Sequence, residues 1–302
     1  MKAAVLVLVP VLVAACGGAK PPAAAERIGP ALEAAFAAAD HVRAPWRCAA
    51  ADLPSPDVPP WHARGRDGLV IGVVADAGGA APKTLAALGR LRDKILAAHA
   101  DAIVALGGMG SNEHDLEATL GALAAKSTPL IAVPGDLESM TAEVAAIAAL
   151  RARGATVVDG RLTRRLDASG ATLETVPGAS APIDAEDGCA WTPADVTRIY
   201  DDLAAGSGVR VALVAGAPRE EHAGEVSGEL ALVPEAAVDV VIHGPAWPEP
   251  SPGRSGGRDG GRVTLSPGTS DASPRLPEMH APAAGVLAIR GSAWTWTPLV
   301  DR

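Results

Sequence analysis

The chain has 302 residues, 48% of them hydrophobic and only 3% aromatic, and a formal net charge of -9. That length suffices for one large domain or two small ones. A core so poor in rings must be built from Ala, Val, Leu and Ile, whose small side chains suit closely layered strands and helices. The acidic balance argues against a nucleic-acid binder, which carries a basic footprint.

The chain opens with Lys2 and the apolar run AAVLVLVPVLVAA, too short and too interrupted by proline to span a bilayer. The run ends in Ala14, Ala15 and Cys16. This stretch resembles the signal and lipobox of bacterial lipoproteins. The resemblance implies that residues 1–15 are removed and that Cys16 carries a lipid anchoring the protein to a membrane. Gly17 stands where members of that family retained at the inner membrane have aspartate. In a cell with two membranes this implies the outer one, facing periplasm or surface. The alternative is an ordinary secretory signal with an incidental cysteine. Residues 16–30 read as a Gly/Ala/Pro tether. Residues 31–68 read as an N-terminal extension, opening with an Ala-rich helix over 31–42 and continuing through proline-punctuated chain. With Cys16 lipidated, an exported chain keeps Cys48 and Cys189, which invites a disulfide in an oxidising compartment; two buried thiols are the alternative.

From Leu69 onward, apolar strand-like runs alternate with amphipathic helices, and residues 69–302 read as the main domain. LVIGVVAD is a buried strand. The helix over 82–100 has Pro82 in its first turn, where a missing N–H costs little. DAIVALGG is a second buried strand, and the helix over 112–127 opens on acids that suit its dipole. PLIAVPGD is a third buried strand. The next helix starts after Ser139 and stops at Gly154. Short strands follow over 155–161, 163–170 and 171–178, with a turn at Ser169 and Gly170. A helix capped by Thr192 has Pro193 at its first position. Strands over 209–218 and 238–245 come next, then a glycine-rich loop over 251–261. Strands over 262–270, 285–292 and 293–300 close the chain. The order is βαβαβα followed by a strand-rich half, which fits two sheets flanked by helices.

VIGVVADAGGAAPKT, Val70 to Thr84, has the outline of a phosphate loop. That loop needs glycines whose backbone N–H groups cradle phosphate ahead of Lys-Ser/Thr. Pro82 occupies the second glycine position and removes an N–H, and Ala77 occupies the first, so the nucleotide reading fails.

The strand ends VVADAGG, VALGGMG, AVPGDLE, LVAGAP and VIHGPAW, with the later TLSPGTSDASPR, follow one another in an order that resembles the calcineurin-like metallophosphoesterases. That family carries D-x-H, G-D, G-N-H-[DE], a lone H and G-H-x-H at successive strand ends. The resemblance covers about residues 69–300 and rests on strand-end glycines and turns. It implies an α/β fold, a layered α/β/β/α sandwich with two mixed β-sheets flanked by helices. It also exposes what is missing. Asp76 matches the first aspartate, but Gly78 stands in place of the first histidine. Gly108 replaces the aspartate that bridges the metals. Asp136 and Leu137 replace the asparagine and histidine of the third motif, and Glu138 keeps the acid after them. Gly216 stands near the lone histidine's place, and Pro245 and Trp247 replace both histidines of the last motif. Glycine, leucine, proline and tryptophan offer no side-chain ligand, and two-metal hydrolysis needs a bridged ion pair about 4 Å apart.

Asp76, Asp136, Glu138 and His243 are the polar groups left as candidate metal ligands, enough for a single hard cation with water. Each also has a bland reading: turn and helix-cap duty for Asp76 and Asp136, a solvated or N-cap-region acid for Glu138, and a packed, hydrogen-bonded core role for His243. Glu113, His114 and Asp115 read as a helix-opening charge cluster near the same rim. His41, His62, His99, His222 and His280 show no metal spacing. Trp294 and Trp296 alternate toward one face of the last strand and read as sheet packing. Arg254, Arg258 and Arg262 read as solvated. The expectation is an exported, lipid-anchored protein with a degenerate centre and no cofactor, serving a binding or structural role at the cell envelope with an envelope protein as partner. The alternative is a divergent phosphoesterase, a hydrolase using one or two Mn, Fe or Zn ions around Asp76, Asp136 and His243. A third reading, a periplasmic small-ligand-binding lipoprotein, calls for two similar lobes, which the chain does not show.

Overall fold

Small aliphatic residues along β2, β3, β4 and β9 decide the layering. The computed structural model describes residues 46–48, 68–168, 170–179, 187–216, 237–244, 263–272 and 281–301. Cys16, the tether, the expected helix over 31–42, Pro245, Trp247 and the arginines of the glycine-rich loop lie outside them. In chain order the described elements are β1 (Trp46–Arg47), β2 (Leu69–Val74), α1 (Pro82–Ala97), β3 (Ala102–Leu106), α2 (Glu113–Leu123), β4 (Leu130–Val133) and α3 (Met140–Ala152). Then come β5 (Val157–Asp159), β6 (Arg165–Ala168), β7 (Ala171–Val176), β8 (Cys189–Ala190), α4 (Pro193–Ala204) and β9 (Val209–Val214). The last are β10 (Val240–His243), β11 (Val263–Leu265), β12 (Ala283–Arg290) and β13 (Ala293–Val300).

The helix starts follow local chemistry. Pro82 and Pro193 sit in first turns, and the side chains of Asn112 and Ser139 cap α2 and α3. Thr192 and Asp195 form a reciprocal capping box on α4, which satisfies two otherwise orphaned donors. Helix α2 ends at Leu123, short of the expected Ser127, because Ala124 turns extended.

One sheet has the order β13-β12-β2-β3-β4-β5, with β2 to β5 parallel and β12 antiparallel to both neighbours. The other has the order β11-β10-β9-β7-β6, parallel except for the β6–β7 hairpin. The central core lies between the sheets: Leu69, Ile71 and Val73 from one meet Val209, Val211 and Leu213 from the other. The outer face of the first sheet buries α1, α2 and α3 through Leu88, Leu91, Ile95, Leu120 and Leu150. The outer face of the second buries α4 through Val196, Ile199, Tyr200 and Leu203. The result is an α/β/β/α sandwich of two mixed sheets flanked by helices, the fold class the sequence implies. Period-two alternation within strands buried on both faces produces it.

Two glycines let bulky groups reach the sheet. A Cβ on Gly72 would lie 2.2 Å from Ile95 Cγ2, so α1 seats its isoleucine directly on the β2 backbone. A Cβ on Gly285 would lie 1.9 Å from the Trp296 ring, which lies across it. Trp294 and Trp296 pack against the inter-sheet core, as their alternation implies. Cys48 and Cys189 are joined by a disulfide and form a small cluster with Met140, beside the two-residue ladder of β1 with β8. The Gly72 contact predicts that Gly72→Ala overpacks the helix–sheet interface and costs about 1–3 kcal/mol. It should be read as a lower urea midpoint with unchanged slope, with partial recovery in Gly72→Ala/Ile95→Ala.

Candidate functional site

Strands β2, β3 and β4 of one sheet and β7, β9 and β10 of the other run parallel and end at a shared rim, where α/β folds place their ligands. The chain leaves β2 through Asp76, which is half-buried and has a left-handed backbone, φ 51°. Aspartate tolerates that region better than most residues. Its N–H donates to Gly107 O at 2.9 Å, and its carbonyl accepts from Ser270 N at 3.1 Å, Asp271 N at 3.0 Å and Thr269 Oγ1 at 2.9 Å. Ser270 also donates to Ala75 O from its N–H and its hydroxyl. The Ser-Pro-Gly-Thr-Ser-Asp segment thus clamps the end of β2, and the Thr84 hydroxyl donates to Asp271 at the start of α1.

Next to Asp76, the turn after β3 is glycine-built and left-handed at Gly107 and Gly108, φ 68° and 70°. A Cβ on Gly108 would lie 2.8 Å from Asp76 Cα and 3.2 Å from both its N and its Oδ1. Gly78 N donates to Gly108 O at 2.9 Å. A Cβ on Gly107 would lie 3.0 Å from Ala215 O and 3.1 Å from Gly135 Cα, and one on Gly244 2.8 Å from Ala215 O. Here the strand-end loops meet backbone against backbone. The space that a side chain at position 108 needs is filled by Asp76 itself.

Glu138 stands across this turn from Asp76, in the loop after β4. It is 1% exposed, and its two oxygens accept from Met109 N at 2.7 Å and Gly135 N at 2.8 Å. It therefore ties the loop after β3 to the loop after β4. Burial pushes its carboxyl up to about 7, against the opposing pull of those two N–H donors. Glu143 of α3 is 2% exposed and lines the same small cavity with Met109, Leu116 and Leu120. Burial, reinforced by the nearby Glu138, holds it well above the usual carboxylate range. Its Oε2 has no hydrogen-bond partner among the described residues.

His243 ends β10, fully buried, with Nδ1 against Gly244 O. Burial lowers its imidazole to about 4, so it is neutral at ordinary pH. Asp136 and Leu137 are half-buried at the rim, Gly78 is exposed and Gly216 is buried. Glu113 and Asp115 open α2, and Asp115 accepts from Asn112 Nδ2 at 2.8 Å and from Ala80 N at 3.3 Å. It thereby braces the loop before α1.

Asp76 and Glu138 each bond the backbone of the glycine turn after β3, and His243 bonds the Gly244 carbonyl. Among the described residues no group of three or more His, Cys, Asp or Glu side chains is placed to hold a metal ion. The described residues do not fit a bridged pair of ions. Gly108 offers no carboxylate and no room for one, and both Glu138 oxygens are taken by backbone donors. Sequence reasoning missed the Glu138 tie and the burial of Glu143. The partners of Glu138 are backbone amides, one of them 29 residues away, so the sequence carries no local signal for the tie.

No family model matches the chain, and no curated protein matches it in sequence. Its fold is similar to that of GAP50, the anchor in the inner membrane complex of Plasmodium. The TM-score is 0.50 and the identity 12%, over 77% of this chain and 84% of that one. A dimetal phosphatase from Danio rerio aligns with a TM-score of 0.49 and 11% identity, over 77% of this chain and 98% of that one. A phosphoesterase from E. coli aligns with a TM-score of 0.33 and 11% identity, over 77% and 99%.

Two outcomes follow from this geometry. Gly108→Asp puts a Cβ into a left-handed turn against Asp76, so it should cost about 2 kcal/mol or more, and manganese should not restore the melting temperature. His243 has a folded-state value below its ordinary 6.5, so its contribution to stability is present above pH 6.5 and is lost as pH falls through about 4. The unfolding free energy of wild type relative to His243→Gln should therefore fall as pH drops from 6.5 to 4. A constant difference would contradict a buried neutral imidazole.

Proposed function

We propose that this chain is an exported, lipid-anchored protein of the cell envelope that uses a phosphoesterase-like fold for binding or scaffolding, not for hydrolysis. The observation that carries the reading is the backbone contact at Gly108. A two-ion hydrolase needs a bridging carboxylate and imidazoles projecting between the strand-end loops, and here the loops touch each other. Gly78, Leu137 and Gly216 supply nothing to replace those ligands. A fold does not carry its chemistry with it, and the similar Plasmodium protein is itself described as an anchor.

The envelope location rests on the sequence of residues 1–30, with Cys16 as the lipid-bearing residue and an envelope protein as partner. Among the described residues no helix is long and apolar enough to cross a membrane, so attachment through Cys16 is the route this reading uses.

The test uses the full chain in detergent. Bound Mn, Fe, Zn and Ca are measured, and a generic phosphodiester is offered with each metal added. The expected result is substoichiometric metal and no turnover above a no-protein control. Stoichiometric metal together with turnover that Asp76→Ala abolishes would establish the hydrolase instead, centred on Asp76, Asp136 and His243. For the anchor, a labelled fatty acid should be incorporated by wild type and lost in Cys16→Ser. Equal labelling of the two would sink the lipid assignment.

A further inference from the structure

The N-terminal strand is held to the rim by a covalent bond, and that bond sits at the head of a run of contacts leading to the glycine turns. Cys48 and Cys189 are joined with their Cα atoms 5.3 Å apart, and both are buried against Met140, the first residue of α3. The other attachments of β1 are slight. It pairs with β8 over two residues, Cys48 N donates to Ala190 O at 3.0 Å, and Arg47 meets Asp195 at 3.0 Å. A two-residue ladder has no stability of its own, and an ion pair with an exposed arginine adds little.

The segment just before Cys189 caps α3. Asp187 O accepts from Met140 N at 2.9 Å. The Asp187 carboxylate accepts from Thr141 N at 3.2 Å, from Thr141 Oγ1 at 3.0 Å and from the Ser139 hydroxyl. Ser139 and Gly188 form an antiparallel bridge. One residue earlier, Glu138 accepts from Met109 N and Gly135 N and so holds the turns after β3 and β4 together. Among the described residues, Met140 shares its apolar cluster at this corner with the cystine.

We propose that the Cys48–Cys189 disulfide is a redox-controlled clamp on the start of α3, which decides whether Glu138 keeps the two glycine turns tied. The chemistry is two-electron thiol–disulfide exchange with a dithiol. One thiolate of the dithiol attacks a cystine sulfur and forms a mixed disulfide, and the other cysteine leaves as thiolate and is protonated. The second thiol of the reductant then displaces the remaining cysteine, so the dithiol becomes a cyclic disulfide and the protein gains two thiols. Released, β1 keeps, among the described residues, its short ladder, the Cys48 N–Ala190 O bond and the Arg47–Asp195 pair. The 187–190 segment keeps its backbone bonds to Ala179 but loses its covalent tie to β1 and the packed cystine beside Met140, and the caps on Ser139, Met140 and Thr141 loosen with it. The sheets do not depend on this corner: their core lies between β2, β3, β4 and β7, β9, β10, away from the cystine. The device makes the closed rim conditional on an oxidising compartment, and it rests on the geometry whether or not Cys16 carries a lipid.

Amide hydrogen exchange on the full-length protein, before and after dithiothreitol, tests it, with alkylation counting the thiols gained. The expected result is a gain of two thiols and exchange faster by about tenfold or more at Met109, Gly135, Met140 and Thr141. The amides of β2, β3 and β4 should stay unchanged, as expected for a local opening. Cys48→Ser should show the same fast exchange without reductant; if that variant does not fold, the reduced wild type decides alone. Three results would each overturn the proposal: a disulfide that resists the dithiol while the protein stays folded, reduction that leaves the four amides as slow as before, and reduction that unfolds the whole domain.

Discussion

The arrangement of the rim depends on backbone meeting backbone where the strands end. Gly107, Gly108, Gly135 and Gly244 lack the one atom that would hold the loops apart, and a Cβ at three of them would fall within 3.1 Å of a neighbouring main chain. With no side chain between the loops, peptide groups bond each other directly: Asp76 N to Gly107 O and Gly78 N to Gly108 O, both at 2.9 Å. Each such bond contributes only about 1 kcal/mol net, but an unpaired buried peptide group costs more than that. The loops are therefore committed to closure once the glycines are in place. The left-handed turn at Asp76, the Ser-Pro-Gly-Thr-Ser-Asp clamp above it and the buried Glu138 tie all serve this closure.

Glu138 shows how such a rim bears a buried acid. Taking a carboxyl out of water is costly unless its oxygens are hydrogen-bonded, and both are, to two loops that each have an amide to satisfy. Glu143, beside it, has one oxygen without a partner among the described residues, and burial pushes its carboxyl well above the usual carboxylate range. The buried Asp159–Arg161 pair nearby is matched with ideal fork geometry and raises no such problem.

Much of the fold was legible in the chain. Pro82, Thr192–Pro193 and Ser139 marked helix starts through chemistry that acts within a few residues, and the small aliphatic runs marked the strands. Strand order and the facing of the two sheets were carried by the family resemblance. Strands buried on both sides read as unbroken apolar runs, which do not say which face meets which layer. At the site, the absence of a ligating side chain at Gly78, Gly108 and Leu137 could be read position by position. What the rim is built from could not. Glu138 looked like a solvated acid after a Pro-Gly turn, because its partners are amides reached only through folding, one of them 29 residues away. Glu143 drew no reading in the sequence, and it is the packing of α3 that buries it.

The rim of this scaffold is closed backbone against backbone. The proposed binding or scaffolding role rests on that closure, and the proposed place at the envelope on residues 1–30. The closure is tested most directly by anomalous diffraction from crystals grown in manganese. The account predicts no pair of peaks about 4 Å apart between Asp76 and the Gly107–Gly108 turn, and loops that keep their backbone contacts. Two such peaks, with the Gly108 turn displaced from Asp76 to admit them, would contradict it.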